Sequence, residues 1–320
     1  MSIVTTDNTQ AFPEQAAAAR ARAEQAAQAA GLVVTLDDIL RFVPGNRVIL
    51  RGRLADSPAV FRLPLNPESH KHIAREWAEL TRSYAYMATG PNRVAKPLCF
   101  DETSGLMAMS LIDGTPLMRH LWSLDMEQRN APYAHAGAWL SAYTAPSQTT
   151  RPANSRHWLR RAKEAVAQQP HPALAEIEQR IFRNMRHLAK HIEPQEWRVA
   201  ITHGDFHPNN LILSGDVLTG IDTGGSSIAP IYKDIARSLT HMARRGLYFG
   251  PKRHFGMDAL AFDAMADAMH LNETERTLFL PYLICFETLF RVEHPEMPPH
   301  RVQHAIDMAQ NLLRDLRQIT

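Results

Sequence analysis

The chain has 320 residues, 45% of them hydrophobic, enough to give one large or two closely joined folding units a proper core. Its 35 Lys and Arg against 33 Asp and Glu leave a net charge of +2, which argues against a nucleic-acid binder driven by bulk charge. No run approaches eighteen apolar residues, so no membrane span is expected, and Cys99 and Cys285 sit in apolar contexts that read as reduced core thiols of a cytoplasmic protein, not as a disulfide framework or zinc site.

The first twelve residues are polar and are expected to be mobile. The Ala/Arg-rich stretch that follows resembles a transit peptide in composition, but Asp7, Glu14 and Glu24 are the acids such peptides avoid. Residues 13–30 read as a helix, with Pro13 in its first turn and Gly31 at its stop. Strand runs at 39–43, 47–54 and 59–63, separated by Pro44-Gly45-Asn46 and Ala55-Asp56-Ser57-Pro58, predict an antiparallel meander. A helix should then start at Pro67, capped by Asn66, with Glu68 near its positive end. Ile73, Trp77, Leu80 and Tyr84 form its apolar stripe, and Glu76 lies beside that stripe, able to point towards the sheet.

Two more strands are expected at 93–100 and 105–111, before a hinge-like turn at Asp113-Gly114-Thr115-Pro116. Up to that turn the chain is β-rich with one long helix; beyond it the pattern is mainly helical. Helices are expected at 131–143, 171–192 and 233–244, and three more follow, the second starting at Asn272 with Glu275 placed to complete a capping box. A short strand at 199–202 should deliver His203-Gly204-Asp205. A hairpin of 211–213 and 217–221 should deliver Asp222.

Chemistry concentrates in Thr202-His203-Gly204-Asp205-Phe206-His207-Pro208-Asn209-Asn210 and in Ile221-Asp222. An Asp, an Asn five residues on and a second Asp seventeen residues after the first form the set that phosphoryl transfer needs. One group orients the acceptor hydroxyl, and two oxygen ligands hold Mg²⁺ on the donor phosphates. The order resembles the catalytic loop of kinases, where His-Arg-Asp and a later Asn precede Asp-Phe-Gly. Here Gly204 stands for the Arg and Asp222-Thr223-Gly224 for Asp-Phe-Gly. His-Gly-Asp followed by Phe-His-Pro is similar to the aminoglycoside phosphotransferase and choline kinase family of kinase-like enzymes.

That resemblance, from about residue 40 to the last helices, implies an α+β, two-lobed, protein-kinase-like fold. A small antiparallel N-lobe (31–111) with one helix would bind nucleotide, a larger helical C-lobe (112–320) would carry catalysis and acceptor, and 1–30 would form an N-terminal segment. It implies a Mg²⁺-dependent transfer of the γ-phosphate of ATP (or GTP) to a hydroxyl of an aminoglycoside, choline or ethanolamine, homoserine or a sugar-like molecule. Asp205 would be the base, Asn210 and Asp222 the metal ligands, Asp234 a buttress for the loop backbone, and His203 a brace. Met109, Ser110 and Leu111 would meet the adenine through their backbone.

The sequence departs from the family at the phosphate clamp. The third strand should offer a Lys paired with a Glu on the next helix; it offers Arg62, with Glu76 in the partner position. A planar guanidinium does not simply replace an ammonium. Gly45-Asn46-Arg47 is the one candidate for a phosphate-cradling turn, and an ordinary hairpin turn is an equal reading. Two rival functions follow. A nucleotide-binding pseudokinase would explain the missing Lys. A metal-dependent phosphoester hydrolase would use the alternating His203, Asp205 and His207. For the acceptor, Tyr248, Tyr282, Phe286, Glu287 and Glu293 lie in the region that lines the pocket in the family. Acids there suit an amine and aromatics a quaternary ammonium, although helical aromatics are more often core.

Overall fold

A computed structural model describes residues 8–248 and 250–318. The chain divides into two compact units, residues 1–114 with 214–225, and residues 115–213 with 226–320. The fold is α+β, with antiparallel sheets and many helices. Of the twelve N-terminal residues expected to be mobile, 1–7 lie outside the described residues. Asn8–Ala11 is a short helix.

The first unit is built on strands β1 (Val34–Val43), β2 (Arg47–Leu54), β3 (Ser57–Pro64), β5 (Pro97–Phe100) and β6 (Met107–Ser110), in the order β1-β2-β3-β6-β5, all antiparallel. Strand β4 (Asn92–Val94) lies elsewhere and pairs in parallel with Val217–Gly220, the strand just before Asp222. The expected strand at 93–100 is therefore two strands, β4 and β5, broken at Ala95-Lys96. β1 starts earlier than its apolar run suggested because shifts of register near Ile39 interrupt its alternation. At Gly52 a Cβ would meet the Thr35 carbonyl at 2.0 Å, so the irregular β1–β2 pairing requires glycine there.

The Pro13–Ala29 helix lays Ala16, Ala19, Ala23 and Ala27 against the sheet's Leu36, Phe42, Val48, Leu50 and Phe61. Small side chains at that spacing permit a close approach of helix and sheet. The Pro67–Met87 helix starts as the sequence predicts. Asn66 accepts from the Ser69 amide at 2.7 Å, and its own Nδ2 donates to the Gly45 carbonyl at 2.7 Å, which ties the helix start to the β1–β2 turn. This helix buries Ile73, Glu76 and Leu80, and Trp77 stacks on Phe100.

In the second unit, Glu196–Thr202 is the middle strand of three, flanked by Thr149–Pro152 and Ser227–Pro230. It runs straight into His203-Gly204-Asp205. The helices Tyr232–Ala243 and Leu280–Phe290 are buried almost all round, as helices at the centre of a core are. Around them lie Asn130–Thr144, Arg156–Val166, Pro172–Ile192, Ala259–Ala268 and Pro299–Leu316. The capping box forms: Glu275 N–H donates to Asn272 Oδ1 at 3.0 Å, and Asn272 N–H to Glu275 Oε2 at 2.8 Å. No helix among the described residues is long and apolar enough to cross a membrane.

Glu275 does more than cap. Its buried carboxylate also accepts from Arg198 Nε at 2.6 Å and Nη2 at 2.8 Å, and from the Tyr232 hydroxyl at 2.6 Å. It thus pins the strand that leads to Asp205 to the first residue of the Tyr232–Ala243 helix. Burial pushes its carboxyl up, but the Arg198 and Tyr232 hydrogen bonds win and hold it below the usual value. Glu275→Ala is expected to cost about 2–4 kcal/mol, since it strands a guanidinium and a hydroxyl. Urea unfolding would measure this, and a loss below about 1 kcal/mol would remove Glu275 from that role.

Candidate phosphotransfer site

The phosphate-clamp residues come together within the first unit. Arg62, on β3 opposite Ile49 and Met107, places Nη1 2.5 Å from Glu76 Oε1 and 3.0 Å from Asp222 Oδ1. Arg62 and Glu76 are 5% and 1% exposed, so the pair is cut off from water. Burial alone would lower the guanidinium; Glu76 and then Asp222 outweigh it and hold it above its ordinary value. Glu76 is pulled upward by its burial, with Arg62 opposing. A guanidinium stays charged in proteins, so the pair is ionic. Arg62 Nε and Glu76 Oε2 are buried with no hydrogen-bond partner, which leaves a polar demand beside the pair.

Asp222 follows the Val217–Gly220 strand with φ +65°, a left-handed conformation that Asp tolerates better than most residues. Two residues on, a Cβ at Gly224 would meet His72 Nε2 at 2.7 Å and Glu76 Cβ at 3.2 Å. The glycine is what lets this segment lie against the Pro67–Met87 helix. The Asp-Thr-Gly triplet is thus shaped at two of its three positions by backbone requirements.

The loop in the second unit is clamped by Asp234. This carboxylate is wholly buried and accepts from the His203 amide at 2.6 Å and the Gly204 amide at 3.0 Å. Lys233 Nζ donates to the Gly204 carbonyl at 2.9 Å. Gly204 itself has φ +84°. His203 is buried among Trp139, Tyr143 and Phe206, a brace within an aromatic nest. Asn210 donates Nδ2 to the Asp205 carbonyl at 3.0 Å, which turns its Oδ1 the other way as an available acceptor.

Asp205 is the residue whose surroundings the sequence did not foretell. Its Oδ1 accepts from Arg237 Nε at 2.8 Å and from Arg291 Nη2 at 3.1 Å, and its Oδ2 lies 3.4 Å from His207 Nε2. Burial raises this carboxyl, but the His207 hydrogen bond and the Arg237 charge override it and hold it far below the usual range. His207 stacks on His241 with ring centroids 4.1 Å apart, and burial lowers both imidazoles. Arg237 stands one helical turn after Asp234, a spacing that puts both on one face, so it was within reach of sequence reasoning. Arg291 is 86 residues from Asp205 and carries no local signal.

Other expected site residues fare differently. Met109 lies inside the sheet, opposite Val60 on one side and Pro97 on the other, and its side chain is buried. The Leu111 amide donates to the Pro58 carbonyl at 3.1 Å, so any base contact at Leu111 falls to its own carbonyl. Ser110 Oγ accepts from the Lys96 amide at 2.9 Å. Gly45 sits in an open hairpin turn with φ +66° and space for a Cβ, so no close approach demands glycine. Tyr282 and Phe286 are core residues: the Tyr282 hydroxyl donates to the Ser155 carbonyl, and Phe286 packs edge-on to Trp158. Tyr248 already carries Arg253 over its ring at 3.6 Å. Glu287 and Glu293 are buried against cations, Glu287 near Lys233 and Arg291, and Glu293 on Arg244.

Each of Asn210 and Asp222 carries a hard oxygen of the type Mg²⁺ takes, a cation that needs one or two protein oxygens and fills its remaining positions with water and phosphate. Arg62→Ala should leave Glu76 buried beside Asp222 without its cation and cost about 3–5 kcal/mol. The double change R62M/E76M should cost less than R62A alone, because only the partly exposed Asp222, and no longer the buried Glu76, is left without Arg62. Urea unfolding of both would show it, and a double variant weaker than R62A would refute the ionic reading.

The model of the phosphotransferase enzyme family matches residues 40–261. No protein of curated function matches the sequence. Among solved structures, the fold is similar to a glucosamine kinase in complex with glucosamine, ADP and inorganic phosphate (TM-score 0.63, 16% identity, 94% of this chain and 87% of that one). It is also similar to aminoglycoside phosphotransferase APH(4)-Ia (0.59, 12%, 94% and 99%). A choline/ethanolamine kinase family protein from Mesorhizobium loti is similar too (0.58, 14%, 93% and 98%). The chain belongs to the phosphotransferase enzyme family, kinase-like enzymes that pass phosphate to the hydroxyl of a small molecule.

Proposed function

We propose that the protein transfers the γ-phosphate of ATP (or GTP) to a small-molecule hydroxyl with the help of Mg²⁺. The observation that carries this is the loop clamp: Asp234 fixes the backbone at His203 and Gly204, and Asn210 is tied to Asp205, so a carboxylate and an amide oxygen emerge in a fixed relation. Asn210 and Asp222 are the residues to hold Mg²⁺, which when bound neutralises charge on the donor phosphates. Arg62, held by Glu76, is the cation for those phosphates and doubles as the group that keeps Asp222 in place.

Asp205 orients the acceptor hydroxyl more than it deprotonates it. A carboxylate pressed by Arg237, Arg291 and His207 is a weak base. Phosphoryl transfer through a loose transition state asks for alignment before proton removal, so weak basicity is tolerable. The acceptor class is a small-molecule hydroxyl compound; the similar enzymes are named for glucosamine, aminoglycosides and choline or ethanolamine, and the panel that tests this reading spans these and homoserine.

The test is ADP release from Mg·ATP over a panel of such acceptors, with Asp205→Ala and Asp222→Ala beside the parent. Each variant is expected to lose about 10²–10⁴ of acceptor-dependent kcat, with turnover read at a temperature where urea unfolding shows the variant folded, since Asp205→Ala also leaves Arg237 without its carboxylate. Unchanged turnover in either would overturn the assignment. Nucleotide binding without turnover, across every acceptor, would favour a regulatory module.

A pH profile adds a second check. The Asp205 carboxyl is depressed in the fold, so its charged form and its contacts with both arginines persist above the ordinary carboxylate value. They are lost only as pH falls through the lower, folded value. Between roughly pH 5 and 8 no kinetic limb should belong to Asp205. A limb there that disappears in D205N would contradict the weak-base reading.

A further inference from the structure

The acceptor side of the second unit is cationic. Arg237 and Arg291 converge on one oxygen of Asp205, at 2.8 and 3.1 Å. Lys233 stands 3.9 Å from Glu287, and Arg291 Nε 3.5 Å from the other oxygen of that same carboxylate. Arg245 lies in the same field: its Nη1 donates to the His241 carbonyl, its Nε is buried without a partner, and no acid pairs with it among the described residues. Burial, followed by the charges of Arg301, Arg237 and Arg244, pushes Arg245 down to about 9, the mark of a cation among cations. Three cations, Arg237, Arg291 and Lys233, thus meet two carboxylates, Asp205 and Glu287, while Asp234 beside Lys233 is held by two backbone amides and Arg245 adds a further charge with no acid of its own among the described residues.

Acids that could welcome an amine are already occupied. Glu287 is 0% exposed between Lys233 and Arg291, and Glu293 is buried on Arg244. Beside Arg291, the Phe290 ring carries Arg161 at 4.2 Å and Arg291 at 5.6 Å from its centroid, so a second guanidinium stands on the same aromatic plate. An ammonium-bearing acceptor brought to Asp205 would meet guanidinium groups first. An anion would find Arg291, 35% exposed in its side chain, with the planar fork that matches carboxylate or phosphate.

On the phosphotransfer reading above, we propose that the acceptor is a hydroxyl compound that carries an anionic group, a carboxylate or a phosphate, and that Arg291, with Arg237 behind it, binds that group while Asp205 holds the hydroxyl. Arg291 is a specificity-determining residue in this scheme. Aminoglycosides and choline are excluded as good acceptors by the same charges.

The experiment uses matched ligands: glycerate against glycerol, and glucuronate and glucose 6-phosphate against glucose and glucosamine. Thermal stabilisation is measured with saturating Mg·ADP, which keeps the nucleotide's own phosphate contacts filled. At least one anionic member should stabilise the parent more than its neutral or cationic twin. Arg291→Gln should weaken that binding roughly tenfold to a hundredfold, with Arg291→Lys recovering part of it. A carboxylate-only or phosphate-only response tells which anion is read. Stabilisation by no anion, by glucosamine above all, or equally in the parent and R291Q would overturn the inference. ADP release is then followed with the same ligands. An anion that binds through Arg291 but is never phosphorylated sinks the phosphotransfer reading and leaves the anion site standing. Phosphorylation of glucosamine in preference to the anions does the reverse.

Discussion

A single buried carboxylate holds the functional loop. Asp234 has no solvent and no arginine; it has the amides of His203 and Gly204, with Lys233 completing the loop through the Gly204 carbonyl. Burial drives its carboxyl up, and an isolated carboxylate in that place would cost several kcal/mol. Two hydrogen bonds to a charged acceptor return about 1.5–3 kcal/mol each, so the clamp is close to balanced only while both amides stay in place. That condition fixes Gly204 in its left-handed conformation and sets the direction in which Asp205 leaves the strand.

The same logic governs the charges around Arg62 and around Asp205. In the first unit one guanidinium serves two carboxylates, Glu76 and Asp222. In the second, one carboxylate serves two guanidiniums, Arg237 and Arg291. Neither set is neutral by itself: the first is left one negative charge over, and the second, counted with Glu287 and the Lys233 beside it, sets three cations on two carboxylates. On the proposed function a metal cation answers the first excess, and on the further proposal an anionic substrate group answers the second. Buried ion pairs are poor contributors to net stability, and their value here lies in orientation.

Much of this could be read from the chain. The Asn66 cap, the Asn272–Glu275 box and the Glu76 partner for Arg62 are local or periodic signals, and each appears in the structure where periodicity placed it. Strand limits were less legible. β1 begins five residues before its apolar run because irregular pairing with β2, not alternation, defines its first part. The run at 93–100 divides because Asn92–Val94 joins a partner more than a hundred residues away, a choice made by tertiary pairing.

The sequence by itself determined the kinase-like order of elements, because that order rests on short spacings that backbone geometry enforces. Tertiary structure alone decided the electrostatic character of the acceptor side. Glu287 and Glu293 look, in the chain, like receptors for an amine; folded, they are consumed by Lys233, Arg291 and Arg244. Arg291 reaches Asp205 across 86 residues, and no local pattern records such a pairing. The physical reason is that a charge's meaning depends on its neighbours within a few ångströms, and those neighbours are assembled by packing.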